Sequence, residues 1–142
     1  MMKRIFQYLA ALLYLSSLPL EAFTVGDASV NGLAAVIYGW AGFGKSFGWS
    51  WLANPLFIFT LFFFINRKTG IRRAAVCMAA AAFLLSFSFL LVDMIPGEKP
   101  EMMVGMVTPE AGYWIWLCSM AALLIAAILN NSEGRGKLQS AG

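Results

Sequence analysis

The stretch GYWIWLCSMAALLIAAIL, residues 112–129, decides the fold of this chain. It holds 18 residues, and its only ionisable groups are one tyrosine and one cysteine. A helix rises about 1.5 Å per residue, so this length is enough to cross a hydrocarbon layer about 30 Å thick with little tilt. We therefore predict a membrane-spanning helix over residues 112–129, followed by a polar tail over residues 130–142.

Three further apolar stretches have the same character, and they occupy residues 5–20, 48–65 and 74–92. Together the four predict an all-α integral membrane protein, a bundle of four transmembrane helices in one domain over residues 1–142. The composition agrees, because 61% of the residues are hydrophobic and only 12% are charged. Soluble proteins are about 25% charged. The shortage of charge excludes a soluble enzyme, a disordered tail and a nucleic-acid module.

The first apolar stretch has two interpretations. Lys3 and Arg4 precede it, and a basic start followed by an apolar run is typical of both a first transmembrane helix and a cleaved signal peptide. Cleavage after Ala22 would place Leu20 where a small residue is required. We therefore favour an uncleaved helix, and cleavage would leave a bundle of three.

Residues 30–47 are mostly apolar but rich in glycine, and they include Lys45. If this segment crossed the membrane, almost no loop would remain before the next helix. We predict an interfacial or re-entrant segment packed on the second helix, because irregular backbone at membrane depth must be covered by protein.

The charged residues test the arrangement. One side of the bundle carries eight of the ten Lys and Arg residues: Lys3, Arg4, Arg67, Lys68, Arg72, Arg73, Arg135 and Lys137. The other side carries Lys45 and Lys99 together with most of the acidic residues. Cytoplasmic loops are enriched in Lys and Arg, so both termini are predicted to be cytoplasmic if the first helix is retained. The basic groups predict contacts with membrane lipids rather than with nucleic acid.

Aromatic residues mark the opposite side. All five tryptophans lie at the outer ends of predicted helices or just before the second one: Trp40, Trp49, Trp51, Trp114 and Trp116. Amphipathic rings prefer the headgroup layer, so we predict an aromatic belt, with a ligand platform built from the same rings as the alternative.

Packing between helices is predicted from the small residues. Alanine and serine recur on the third and fourth helices, which favours close antiparallel packing of this pair. The phenylalanine-rich residues 57–64 are predicted to face lipid or a partner. Pro55 removes a backbone hydrogen bond and should kink the second helix, and Asn54 can bond the freed groups. Cys77 and Cys118 are predicted to be unpaired and buried.

Residues 39–46 match the phosphate-loop pattern GxxxxGK[ST] in every letter, and the preceding residues 33–38 resemble a strand. Lys45 and Ser46 would contact phosphate and magnesium. The context does not fit, because the segment faces outward and no acidic residue ends an apolar strand to hold magnesium. We predict no nucleotide binding and no cofactor.

Met102, Met103 and Met106 lie in the predicted loop between the third and fourth helices. Thioether sulfurs suit Cu(I), so these three residues are a candidate copper site. Methionine is also an adaptable apolar filler, and no histidine or cysteine in the loop completes the site. We therefore assign no metal, catalytic or cofactor-binding residue and keep Cu(I) binding as an alternative.

The combination of WLANP at residues 51–55 with GYWIW at residues 112–116 resembles a recurrent type of small, uncharacterised bacterial inner-membrane protein with four spans. The resemblance covers most of the chain and implies location in the bacterial inner (plasma) membrane. It implies no activity, ligand or catalytic residue.

The prediction of function depends on the absence of ionisable side chains of Asp, Glu, Lys, Arg and His from the predicted membrane spans. The chain has no histidine, and none of the four predicted spans contains Asp, Glu, Lys or Arg. Such groups mark ion pathways and proton relays within membranes. We predict a non-catalytic protein that acts through helix–helix contacts, as an accessory subunit, an assembly factor or an immunity-type protein. Its partner would be another membrane protein or a second copy. The alternatives are a small-solute or metal transporter or channel subunit, and a membrane enzyme.

Reporter fusions test the predicted topology. Fusions after residues 69 and 140 should report a cytoplasmic position, and fusions after residues 27 and 99 an outer one, because Lys and Arg divide so unequally between the two sides. An outward-facing residue 69 would overturn the whole arrangement.

Overall fold

The computed structural model describes residues 2–42, 48–64, 69–91, 94–95 and 105–139. In these ranges the chain is mostly helical and carries one small sheet. The elements in chain order are α1 (Met2–Ser17), β1 (Glu21–Val25), β2 (Ala28–Asn31), α2 (Gly32–Tyr38), α3 (Gly48–Trp51), α4 (Ala53–Phe63), α5 (Thr69–Ser88), β3 (Met94–Ile95), β4 (Gly105–Pro109) and α6 (Ala111–Gln139). Short 3-10 turns at Gly39–Gly42 and Phe89–Leu91 follow α2 and α5.

Two helical segments in the described ranges, Ile71–Leu91 and Ala111–Ser132, are long and apolar enough to cross a membrane. They coincide with the third and fourth predicted spans. The first two predicted spans are helical as well, but they are shorter. Helix α1 has 16 residues, and the apolar segment Gly48–Phe63 is interrupted at Leu52 between α3 and α4.

The all-α prediction is wrong in one respect, because the loops at one end of the helices form a four-stranded antiparallel sheet. Its strand order is β2-β1-β4-β3. Strands β1 and β2 are joined by a tight turn in which Gly26 has φ +58°, a conformation that glycine adopts without strain. β4 then pairs with β1, with Phe23 opposite Pro109 and Val25 opposite Val107. The sheet gives the backbone groups of these distant segments hydrogen-bond partners.

The predicted interfacial or re-entrant segment, residues 30–47, begins at the end of β2 and continues as helix α2. Asn31 caps α2, because its side-chain oxygen accepts the N–H of Ala34 at 2.7 Å. The residues before the phosphate-loop match are therefore helical, and the strand that such a loop requires is absent here. Residues 43–47, with Lys45 and Ser46, lie outside the described residues.

The described charges separate toward the two ends of the bundle. The sheet follows α1 and α5 and precedes α6, so these three helices meet at the sheet end. The sheet end carries Glu21, Asp27 and Glu110, whereas the opposite end carries Lys3, Arg4, Arg72 and Arg73. This separation is the one expected from the charge pattern of the sequence.

The helices pack through small residues, as predicted. Ala79, Ala82 and Ser86 on α5 are fully buried, and so are Ser119 and Ala126 on α6. The two helices are antiparallel. Tyr113, near the start of α6, donates its hydroxyl hydrogen bond at 2.9 Å to the backbone oxygen of Ser86, near the end of α5. Helix α1 packs mainly on α6, a contact that the sequence did not predict.

Two predictions about buried residues are wrong, the first at a single residue. Phe59 and Phe62 are 55% and 60% exposed, as expected for an outward-facing stretch, but Phe57 is only 1% exposed. Phe57 shares one face of α4 with buried Thr60, and residues three or four apart on a helix lie on the same side. The second error concerns Cys77 and Cys118, which are free thiols on exposed faces rather than buried ones.

Candidate functional site

Asn54 repairs the backbone at the break between α3 and α4. Pro55 has no N–H, so the carbonyl group of Trp51, four residues earlier, loses its usual helical partner. The side-chain nitrogen Nδ2 of Asn54 donates to that carbonyl oxygen at 3.2 Å. The prediction that Asn54 bonds a group freed by the proline is confirmed.

The oxygen of the same amide accepts two hydrogen bonds from other helices. The hydroxyl of Tyr14 on α1 donates to Oδ1 of Asn54 at 3.1 Å, and Nε1 of Trp116 on α6 donates to it at 2.9 Å. Because Tyr14 and Trp116 both donate to this atom, it must be the amide oxygen, which accepts hydrogen bonds, and not the amide nitrogen, which donates them. One side chain therefore connects α1, α3, α4 and α6.

Packing holds the Tyr14 hydroxyl at this point. The ring of Tyr14 stacks on that of Phe57, with centroids 4.5 Å apart and an interplanar angle of 17°. Tyr14 is 8% exposed and Asn54 is 5% exposed, so water has little access to their bond. A hydrogen bond in such surroundings is expensive to break, because the separated groups cannot turn to solvent.

Trp51 extends the network to α2. Its Nε1 donates to the backbone oxygen of Val36 at 2.7 Å. Gly39 allows this approach, since a Cβ atom at that position would collide with Cδ1 of the Trp51 ring. The contact fixes α2 across the sheet end of the helices.

Beneath α2 and the β1–β2 hairpin lies a half-open cavity of about 320 Å³. Helices α1, α3, α4 and α6 contribute its remaining walls, and Asn54 lies among the lining residues. Six of the described lining residues are aromatic, namely Phe23, Tyr38, Trp51, Phe89, Tyr113 and Trp116. None of the described lining residues is Asp, Glu, Lys or Arg. The site therefore combines apolar walls with a few neutral polar groups.

One wall of the cavity is a continuous row of rings. Phe23 of the sheet lies 5.1 Å from Phe89, and Phe89 lies 5.3 Å from Tyr113, measured between ring centroids. Tyr113 in turn lies 5.8 Å from Trp116. These separations are typical of favourable tilted and offset ring pairs. The row joins the sheet to the Asn54 network.

The tryptophans divide into two groups. Trp40, Trp49 and Trp114 are 59%, 56% and 49% exposed, which agrees with the predicted belt. Trp51 and Trp116 point inward and line the cavity, as in the alternative prediction of a ligand platform. The sequence held a signal for this division. Trp49 and Trp51 are two residues apart, as are Trp114 and Trp116, and helical residues with that spacing lie on nearly opposite faces.

The candidate copper ligands lie elsewhere. Met106 is 78% exposed on β4, where it pairs with Met94 across the β3–β4 ladder. Met102 and Met103 lie outside the described residues. In the described ranges no group of three or more His, Cys, Asp or Glu side chains is placed to hold a metal ion. Cu(I) binding by the three methionines stays a prediction.

No protein family, curated protein or solved structure matches this chain. The resemblance of the WLANP and GYWIW motifs to small inner-membrane proteins stays a prediction. The structure nevertheless places both motifs together, since Trp51, Asn54 and Trp116 belong to one network.

A matched pair of substitutions on α1 tests the network. Tyr14→Phe keeps the stacking on Phe57 but removes one donor to Asn54, so the free energy of unfolding should fall by about 1 kcal/mol. Tyr8→Phe is the control, because Tyr8 is 74% exposed on the same helix. It should change stability by less than about 0.5 kcal/mol. Reversible unfolding in mixed micelles, followed by circular dichroism, measures both, and equal losses would contradict the assigned role of Tyr14.

Proposed function

We propose that this chain is a non-catalytic multi-pass protein of the bacterial inner membrane, with spans formed by α1, by α3 with α4, by α5 and by α6. The distribution of side-chain sizes carries the proposal. Large apolar residues cover the outside of every span, including Leu12 at 66% exposed, Phe62 at 60%, Leu84 at 68% and Ile128 at 50%. Soluble monomers rarely expose so much contiguous apolar surface, whereas a span presents such a surface to lipid.

The interior supports the same proposal. Its fully buried residues are mainly small, such as Ala10, Ala53, Ala79 and Ala126. Membrane helices associate through close packing of small residues, because lipid removes the hydrophobic drive between them. The bundle is therefore small inside and bulky outside.

The two shorter helical segments are compatible with spanning. The 16 residues of α1 correspond to about 24 Å at 1.5 Å per residue. Local thinning of the bilayer accommodates such a mismatch at modest cost. Lys3 and Arg4 lie in the first turn of α1, where long basic side chains can reach the headgroups while their stems stay in the apolar layer.

The separation of charge supports a cytoplasmic position for both termini. The end of the bundle that carries Lys3, Arg4, Arg72 and Arg73 would face the cytoplasm and its anionic lipid headgroups. The sheet and the cavity would then lie at the outer surface. The exposed Trp114, at the start of α6, would lie at the outer headgroup layer.

The chemistry of the interior favours a role in contacts rather than in catalysis. Among the described residues, no Asp, Glu, Lys or Arg is buried. The buried polar side chains include Ser17, Asn54, Thr60, Ser86 and Ser119, and each donates a hydrogen bond to a backbone oxygen. Such groups set helix geometry but do not transfer protons. An accessory, assembly or immunity-type protein that contacts another membrane protein fits this interior best.

A transporter or channel subunit for a small solute or metal ion is the second candidate, and the cavity at the sheet end favours it. Among the mainly small buried residues of the described bundle, the larger side chains of Phe57, Met120 and Leu123 occupy the remaining interior space. A transport path would require these side chains to move apart. We therefore rank this function below the first.

Site-specific photo-crosslinking in native membranes tests the proposal. A photoreactive phenylalanine analogue replaces one exposed residue on each span: Leu12, Phe59, Leu84 or Ile125. At least one position should give a discrete crosslinked protein band, since helix contacts with a partner bring that surface within reach. The same analogue at buried Leu123 is the control and should give no intermolecular band. If all four positions crosslinked to lipid and none crosslinked to a protein, the result would contradict a function through helix contacts.

A further inference from the structure

We propose that the cavity beneath α2 and the β1–β2 hairpin binds a flat, uncharged ring compound whose carbonyl oxygen accepts a hydrogen bond from Asn54. This site goes beyond the proposed function, which concerns the outer surfaces of the helices. It rests on one unused hydrogen-bond donor, on the absence of charge among the described lining residues and on the aromatic walls.

The unused donor follows from counting the bonds of Asn54. A side-chain amide has two N–H donors and an oxygen that accepts two hydrogen bonds. The amide oxygen of Asn54 accepts hydrogen bonds from Tyr14 and Trp116, and one of its two N–H groups donates to the carbonyl oxygen of Trp51. Within the described residues the second N–H has no partner, although Asn54 is 5% exposed and lines the cavity. A ligand with an acceptor atom would complete this group.

The described lining favours a neutral ligand over a charged one. An ion transferred from water into apolar surroundings needs a counter-charge, and no described lining residue is acidic or basic. Aromatic walls attract some cations, but the unused group of Asn54 is an N–H donor, whose positive end would repel a cation. The favoured ligand is therefore neutral and presents an acceptor such as a ketone oxygen.

Size and shape indicate a ring rather than a long chain. The volume of about 320 Å³ lies at the lower end of the range of about 300–1,000 Å³ typical of small-molecule sites. The half-buried rings at the two ends of the row, Phe23 and Trp116, line the cavity, and a flat ring can stack on either of them. Small residues from β2 and α2, among them Ala28 and Ala35, leave the space next to it.

Equilibrium dialysis with purified full-length protein in nanodiscs tests the site, and empty nanodiscs give the background of partition into lipid. The probe is 2-acetonaphthone, a neutral fused ring with one ketone oxygen. Its analogue 2-isopropylnaphthalene keeps the shape but lacks the acceptor. The probe should bind saturably, and the analogue about fivefold more weakly, as expected for one lost hydrogen bond. Equal binding of the two compounds would refute the role of Asn54.

Strand β2 supplies a matched pair of variants. Ala28 lines the cavity, whereas Ser29 is exposed, since successive residues of a strand point to opposite faces. Ala28→Phe should fill the cavity and weaken probe binding at least tenfold, and Ser29→Phe should leave it unchanged. Val30→Phe fills the cavity from the same face and replaces Ala28→Phe if that variant does not fold.

Three further outcomes would overturn the proposal. The first is a failure of the probe to bind saturably to the unmodified protein. The second is equal binding of the probe to the cavity-filled variant and to the control variant. The third is a phospholipid that native mass spectrometry finds tightly bound, that the probe does not displace and that is lost only in Ala28→Phe. The last result would assign the cavity to an acyl chain. Each leaves the contact function of the helices untouched, so failure of this site is distinguishable from failure of the proposed function.

Discussion

The side-chain amide of Asn54 is the point at which four helices of this chain meet. It accepts from Tyr14 of α1 and Trp116 of α6, and it donates to the carbonyl of Trp51 at the end of α3. Removal of the amide would take a hydrogen-bond partner from the buried Tyr14 hydroxyl and from the half-buried Trp116 ring nitrogen and Trp51 carbonyl group. A polar group left buried without a partner costs about 1–3 kcal/mol. In an interior built mainly from alanine and serine, few other polar contacts fix the relative positions of the helices.

The cavity depends on the same interaction. Trp51 is placed by the break in the helix next to Asn54, and its ring nitrogen bonds the backbone of Val36, which positions α2. Trp116, bonded to Asn54, ends the row of rings that begins in the sheet at Phe23. Trp51, helix α2 and the row of rings, which all line the cavity, are therefore connected through the side-chain amide of Asn54. A change at Asn54 should disturb the shape of the cavity as well as the stability of the bundle.

The sequence predicted the parts of this structure that depend on local pattern. Hydropathy indicated four apolar helices, of which two, within α5 and α6, are long enough to cross a membrane. The small residues indicated the faces through which α5 and α6 meet. The proline at position 55 pointed to Asn54 as its compensating partner, because that relation lies within one helical turn. Helical spacing also divides the tryptophan pairs and puts Phe57 on the same face as Thr60, although composition alone indicates an outward position for all of these aromatic residues.

The sheet and the cavity could not be predicted in this way. Strands β1 and β4 have five residues each and lie far apart in the sequence. Their pairing follows from the packing of α1 against α6, which no local pattern shows. Gly112 allows that approach, since a Cβ atom there would come within 2.6 Å of the carbonyl oxygen of Glu21. The cavity in turn arises between elements whose positions are known only once the bundle has formed.

A double-mutant cycle between Tyr14→Phe and Trp116→Phe tests most directly whether Asn54 unites the helices. Both removed groups donate to one oxygen, so the two losses in unfolding free energy should be coupled by about 0.5 kcal/mol or more, and the coupling should vanish in an Asn54→Ala background. Additive losses that agree within about 0.3 kcal/mol, or a coupling that persists without Asn54, would contradict the account.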